Sequence, residues 1–187
     1  MRVEGALDYP GVSAAQVFSM IIDPDFQRAV CAATGALSFD VDIQPSGGDI
    51  QPSGGDIQPS GSDIQPSGGE AVVTTRRVMP TDGLPDFVRS LVRNGIELIE
   101  TQHWAPVAAD GSRTAQVRLS FTGQPMTMTG QLRMTEDGVG TALALIADLR
   151  AGIPIFGGRI EKASAPLILS ALKTEQDLGR TWLSEHG

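Results

Sequence analysis

His103 is the one side chain within the patterned segments whose ordinary pKa lies near neutrality, and it stands beside Trp104 with Glu97 and Glu100 a few residues away. A histidine with carboxylates nearby is the arrangement of a general base and its orienting group, which is the first chemistry to weigh. Strand alternation, however, sets His103 opposite Trp104 and hence on the solvent face, so no catalytic residue is assigned. Cys31 is the only cysteine, which excludes an intrachain disulfide and leaves it best placed as a small buried hydrophobe. One cysteine and two histidines cannot close a zinc site without several carboxylates, and no metal is expected. Tyr9, Asp148 and Arg150 fall near strand ends, where solvation is expected although a cavity mouth could use them. Gly157 and Gly158 open a helix and could turn N–H groups toward an anion. The stretch "FGG" lacks the spacing and lysine of a phosphate loop, so close packing is expected there and no cofactor is implied.

The elements that must position these residues follow from periodicity. Residues Arg2 to Tyr9 alternate Val3 and Leu7 against Arg2, Glu4 and Asp8, a half-buried strand that Pro10 and Gly11 end. Ser13 with Gln16 three positions on is a capping box before a helix carrying Val17, Phe18 and Ile21. Asp23 and Pro24 suit the N-cap and first position of a second short helix, with Phe26 and Val30 inward and Gly35 beyond its end. Strands are expected from Ala36 to about Gln44 and from Glu70 to Met79, then a short inserted helix from Pro85 to Arg93 before Asn94 and Gly95. Four strands come next. Ile96, Leu98 and Trp104 share a face in the first, and Ala115, Val117, Leu119 and Phe121 in the second. Met126, Met128, Leu132 and Met134 share a face in the third, and Leu143 with Leu145 in the last, the pattern of antiparallel strands with one wet face and one dry. A long helix from about Ile155 to Ser184 closes the chain, with Ile160, Ala163, Leu167, Ala171, Leu172 and Leu178 on one stripe and Pro166 inside it.

Acidic residues number 22 against 14 basic, a formal net charge of −8. Phosphate binding needs clustered Lys and Arg, so nucleic acid is excluded as a partner. The first residues carry charges where a signal peptide would be apolar, and the longest apolar segment, "VGTALALIADL", is too short to cross a bilayer. With the lone cysteine, these features place the chain in a reducing cytoplasm as one 187-residue domain.

Four near-copies of "DIQPSGG" begin at Asp42, Asp49, Asp56 and Asp63, varied only by Ser62. A proline in every copy forbids a continuous helix, so the seven-residue period is not a coiled-coil heptad. Residues 43–69 are therefore expected to form a flexible insertion in the hairpin loop between the second and third strands. Going from one copy to four is two doublings of loop length and costs only about 1.2 kcal/mol of closure entropy.

The order strand, two short helices, six strands and a long terminal helix resembles the START-like superfamily, also called SRPBCC or helix-grip proteins. "DYPGVSAAQVFSMIIDPDFQRAVCAATGALS" is similar to its first strand and helix pair, and "GIPIFGGRIEKASAPLILSALKTEQ" to its grip helix. "VVTTRRVMPTDGLPDFVRSLV" and "TQHWAP" further resemble a bacterial branch, domain of unknown function family 2505. The resemblance implies an α+β fold in which a curved antiparallel sheet of about seven strands wraps a long C-terminal helix and leaves an apolar cavity between them. The residues placed to line it are Leu98, Trp104, Val117, Leu119, Phe121, Met126, Met128, Leu132, Leu143, Leu145, Ile160, Ala163 and Leu167. Each could equally be core filling; the methionines would give an adaptable wall, and the Trp104 indole N–H a donor to a ligand. The function implied is a carrier or sensor for a small apolar or amphipathic ligand. Two alternatives stand beside it: a cyclase- or dehydratase-like enzyme, which needs an inward titratable group, and an adaptor for a protein partner.

Overall fold

The computed structural model describes residues 1–46, 69–81 and 95–186. Its elements are β1 (Arg2–Pro10), α1 (Ala14–Ile21), α2 (Pro24–Ala33), β2 (Ser38–Ser46), β3 (Glu70–Met79), β4 (Ile96–Trp104), β5 (Arg113–Phe121), β6 (Met126–Glu136), β7 (Gly140–Ala151) and α3 (Gly157–His186). All seven strands join one antiparallel sheet in the order β1-β7-β6-β5-β4-β3-β2. Strands β2 to β7 form a meander, and β1 pairs with β7 along the opposite edge. This is the helix-grip fold, with α3 lying across the concave face of the sheet.

Local chemistry starts and seats the helices. At α1 the Ser13 hydroxyl accepts from the Gln16 N–H while the Gln16 side chain accepts from the Ser13 N–H, a reciprocal capping box. At α2 the Asp23 carboxylate accepts from the N–H groups of Asp25 and Phe26. Both helices pack at one end of the sheet, where they hold the C-terminal half of α3. Phe26 meets Trp182 edge-on, ring centroids 5.6 Å apart, and Gly179 admits Tyr9, since a Cβ there would stand 2.9 Å from the tyrosine hydroxyl. The other end of α3 is held by β7. Gly157 rests against the Ala151 carbonyl with no room for a side chain, and Glu161 accepts a hydrogen bond of 3.0 Å from the Ala151 N–H. Close packing is thus the role of Gly157, while a Cβ on Gly158 would meet nothing.

Small residues let the sheet bend around the helix. Gly130 lies on the inner row of β6 between Met128 and Leu132, and a Cβ there would collide with Ala147 and the Ile146 carbonyl of β7. Gly5 on β1 faces Leu172 and Leu169 of α3, with its own missing Cβ 2.7 Å from the Leu172 methyl.

Three expectations change. Strand β2 runs through Ser46, so Ile43 to Ser46 belong to the sheet and not to the insertion; Ile43 packs on the core and pairs with Val73. Pro45 is tolerated because β2 is an edge strand, with a neighbour on one side only. Tyr9 is 2% exposed, where solvation was expected of a strand end, because α1 and α3 both cover the end of β1. The stripe of α3 is less buried than its periodicity implies: among its residues only Gly157, Ile160, Ala165 and Gly179 are fully buried, because the middle of the helix spans a void. Residues 47–68 of the repeat and the expected helix from Pro85 to Arg93 lie outside the described residues.

Candidate functional site

A cavity of about 550 Å³ lies between the inner face of the sheet and the middle of α3. Its size is that of a site for a small molecule. Leu98, Trp104, Val117, Leu119, Phe121, Met126, Met128, Leu132, Leu143 and Leu145 form the sheet side, and Ile160 and Leu167 lie on the helix side. Ile21 and Val30 close the end under α1 and α2. Leu167 is 53% exposed and so stands at the rim. Ala163 is not among the lining residues. The helix turns 100° per residue, and the stripe facing the void advances through Ser164, Ile168, Ala171, Leu172 and Glu175, which leaves Ala163 beyond its edge.

One end of the cavity is polar. Arg77 of β3 and Glu100 and Gln102 of β4 occupy inward positions of their strands, and Glu175 of α3 faces the same space. An Arg77 guanidinium N–H donates to Glu100 Oε2 as an ion pair, and the Gln102 amide donates to Glu100 Oε1 at 2.9 Å. Gln102 Oε1 in turn accepts from the Trp104 indole at 3.0 Å. The indole donor expected to serve a ligand is therefore committed to Gln102. Beneath this chain the Arg77 Nε and Thr75 Oγ1 atoms are buried without hydrogen-bond partners.

Glu175 differs from Glu100 in having no donor. Among the described residues its carboxyl accepts no hydrogen bond, and its accessible part fronts the cavity. Burial pushes its pKa up to about 7; the Glu100 charge adds to the rise, and the Arg77 guanidinium opposes it. Burial also holds the Tyr9 hydroxyl far above its ordinary value, with Glu175 reinforcing the effect and Arg180 opposing it. The Cys31 thiol, buried under α2, is likewise pushed up, chiefly by desolvation.

His103 is exposed on the opposite face of β4 and takes no part in the cavity. Asp148 and Arg150 are exposed on the outer face of β7. Arg113 is buried at the inner start of β5, where its guanidinium stacks 3.5 Å from the Phe18 ring centroid and donates to the Gly69 carbonyl. The polar end escaped the sequence reading, though the signal existed. Glu100 and Gln102 have the same parity as Leu98 and Trp104, and Arg77 the same parity as Ala71 and Val73.

The family described as protein of unknown function (DUF2505) matches residues 5–183. The chain belongs to this family. An uncharacterized protein of Mycobacterium tuberculosis is 24% identical to the DUF2505 chain over 120 residues, 63% of this chain and 68% of the relative. Among solved structures, the Zhui aromatase/cyclase of a Streptomyces species superposes with a TM-score of 0.54 at 12% identity, covering 99% of this chain and 94% of that one. A STAR-related lipid transfer protein of Xanthomonas axonopodis gives 0.53 at 12% identity, over 97% of this chain and 84% of that one. These likenesses establish the START-like fold of the DUF2505 chain. Among the described residues, no helix is long and apolar enough to cross a membrane.

Proposed function

We propose that this DUF2505 protein is a cytoplasmic carrier or sensor that holds one small apolar or amphipathic molecule between the sheet and α3. The observation that carries this reading is the cavity itself: about 550 Å³ walled by leucine, methionine and aromatic side chains, in a fold that could have filled the space with side chains. Apolar ligand surface buried there would contribute about 25 cal/mol per Å² before the costs of association. Met126 and Met128 form an adaptable part of that wall, suited to more than one guest shape. The names of two proteins of like fold, a lipid transfer protein and an aromatase/cyclase, are consistent with an apolar guest.

Native mass spectrometry of the protein purified gently from its host, in full-length form and with a single repeat copy, tests this. The expected result is a common excess mass that organic solvent releases. Absence of any excess mass, together with no uptake of a neutral apolar dye, would overturn the proposal.

Glu175 favours a second reading, proton-transfer chemistry of the cyclase or dehydratase kind, because it is an inward carboxyl that titrates near neutrality. Under that reading Glu175→Gln abolishes turnover of a bound polyketide-like ketone while leaving its uptake intact.

A further inference from the structure

We propose that Glu175 is the cavity's polar anchor and that, in its acid form, it donates a hydrogen bond to a carbonyl oxygen of the ketone or ester class carried by an otherwise apolar ligand. This rests on the ligand-cavity reading and names the chemistry of its guest.

Of the two carboxyl groups at the polar end, one is left without a hydrogen-bond donor. Both oxygens of Glu100 are served, Oε2 by Arg77 and Oε1 by Gln102, and the acceptor oxygen of Gln102 is served by Trp104. The acceptor oxygens of that chain are thus all served, and the atoms left without a partner, Arg77 Nε and Thr75 Oγ1, lie buried beneath it. Glu175 reaches the same space from α3 with no donor among the described residues. Among the described residues the only cation lining the cavity, Arg77, is already committed to Glu100. An ionised Glu175 would therefore place a second, uncompensated negative charge against apolar walls, which a low-dielectric site strongly disfavours.

The groups facing Glu175 from every packed element agree with this. Arg77 comes from β3, Glu100 from β4, Tyr9 from β1 with Arg180 beyond it on α3, and Cys31 from α2. Tyr9 and Cys31 are neutral donors whose loss of a proton burial opposes. Glu175 itself binds a proton up to about pH 7. A protonated carboxyl offers one O–H donor. Its complement is an acceptor oxygen without an acidic proton. A ligand carboxylate or phosphate would instead meet Glu100 and Glu175 together, and an amine would require Glu175 ionised.

The test uses the full chain and displacement of N-phenylnaphthylamine, a neutral apolar dye, by three matched probes: methyl octyl ketone, decylamine and decane. Wild-type affinity for the ketone should fall about tenfold between about pH 6 and pH 8, following the loss of the Glu175 proton, while decane stays flat. Glu175→Gln keeps an N–H donor and should bind the ketone with no pH dependence, whereas Glu175→Leu should lose the preference for ketone over decane. A pH-independent ketone affinity in the wild type, the same pH profile in Glu175→Gln, or a decylamine affinity exceeding that of the ketone and rising with pH would each overturn the anchor. If the dye binds but the ketone is not preferred over decane, the anchor alone fails. If no probe and no dye binds, the ligand-cavity reading fails with it.

Discussion

Glu175 links binding to stability through its proton. In the unfolded chain the carboxyl titrates at its ordinary value of 4.5, and in the folded protein at about 7. Below about pH 4.5 both states hold the proton and the group costs nothing. Between about pH 4.5 and 7 the unfolded state releases it first, so folding stability is lost as pH rises, and above about 7 the loss is complete. Glu175→Gln removes this pH-dependent loss. Denaturant unfolding should show the variant about 3 kcal/mol more stable than wild type at pH 8 and little changed at pH 4.5. An equal effect at both pH values would assign the gain to packing. Glu175 also shows why the site was less legible than the fold. The apolar walls announce themselves through alternation, but Glu175 sits on the same helical stripe as Ala171 and Leu172, where a charged residue reads as the edge of an apolar face. Only the meeting of β3, β4 and α3 shows that it points into a void.

At the level of elements, α3 carries two glycines of opposite meaning, Gly179 in a seat and Gly158 facing open space. Gly179→Ala gains helix propensity of about 1 kcal/mol but drives a methyl into Tyr9 and Met20. Net destabilisation of about 1–2 kcal/mol is expected. Gly158→Ala meets nothing and should stabilise the protein by about 0.5–1 kcal/mol; thermal melts of the two variants decide both signs. The β2–β3 hairpin makes a second prediction. Ser46 pairs with Glu70, so removing residues 49–69 leaves Gly47 and Gly48 as a two-residue turn between paired strand ends. Gly-Gly suits such a turn, and Gly48 takes the chain position of Gly69, whose carbonyl accepts from Arg113. The shortened protein should fold with a melting temperature no lower than that of the full chain; a clear drop would mean the extra copies stabilise the fold. These elements were legible because caps, turns and alternation are local. The overlap of the first repeat copy with β2 was not. Asp42 to Ser46 of the first copy are strand because they pair with β3, and nothing in the repeat's own residue types signals that pairing.

Across the whole molecule, cavity and core share one apolar face, and the test is to fill the one without disturbing the other. Ala171→Phe extends a ring from the helix into the void. It should leave unfolding stability within about 1 kcal/mol of wild type while abolishing the rise in melting temperature that an apolar ligand confers, which for saturating ligand at a hundredfold over Kd is worth about 2.7 kcal/mol. Retained ligand stabilisation would place the guest elsewhere.

The seating of α3 has a mechanical consequence. A strut fixed at both ends and notched between them yields at the notch. Pro166 lacks the N–H that would bond the carbonyl one turn back, and it lies between the Gly157–Glu161 seat on β7 and the Gly179–Trp182 seat on β1 and α2. Leu167 and Leu169 next to it are largely exposed. Amide hydrogen exchange should therefore be fastest around residues 167–170 and slower at both seats, and a bound guest should slow the middle alone. The molecule would then breathe through its longest rigid part, exchanging cargo while both anchor points stay still.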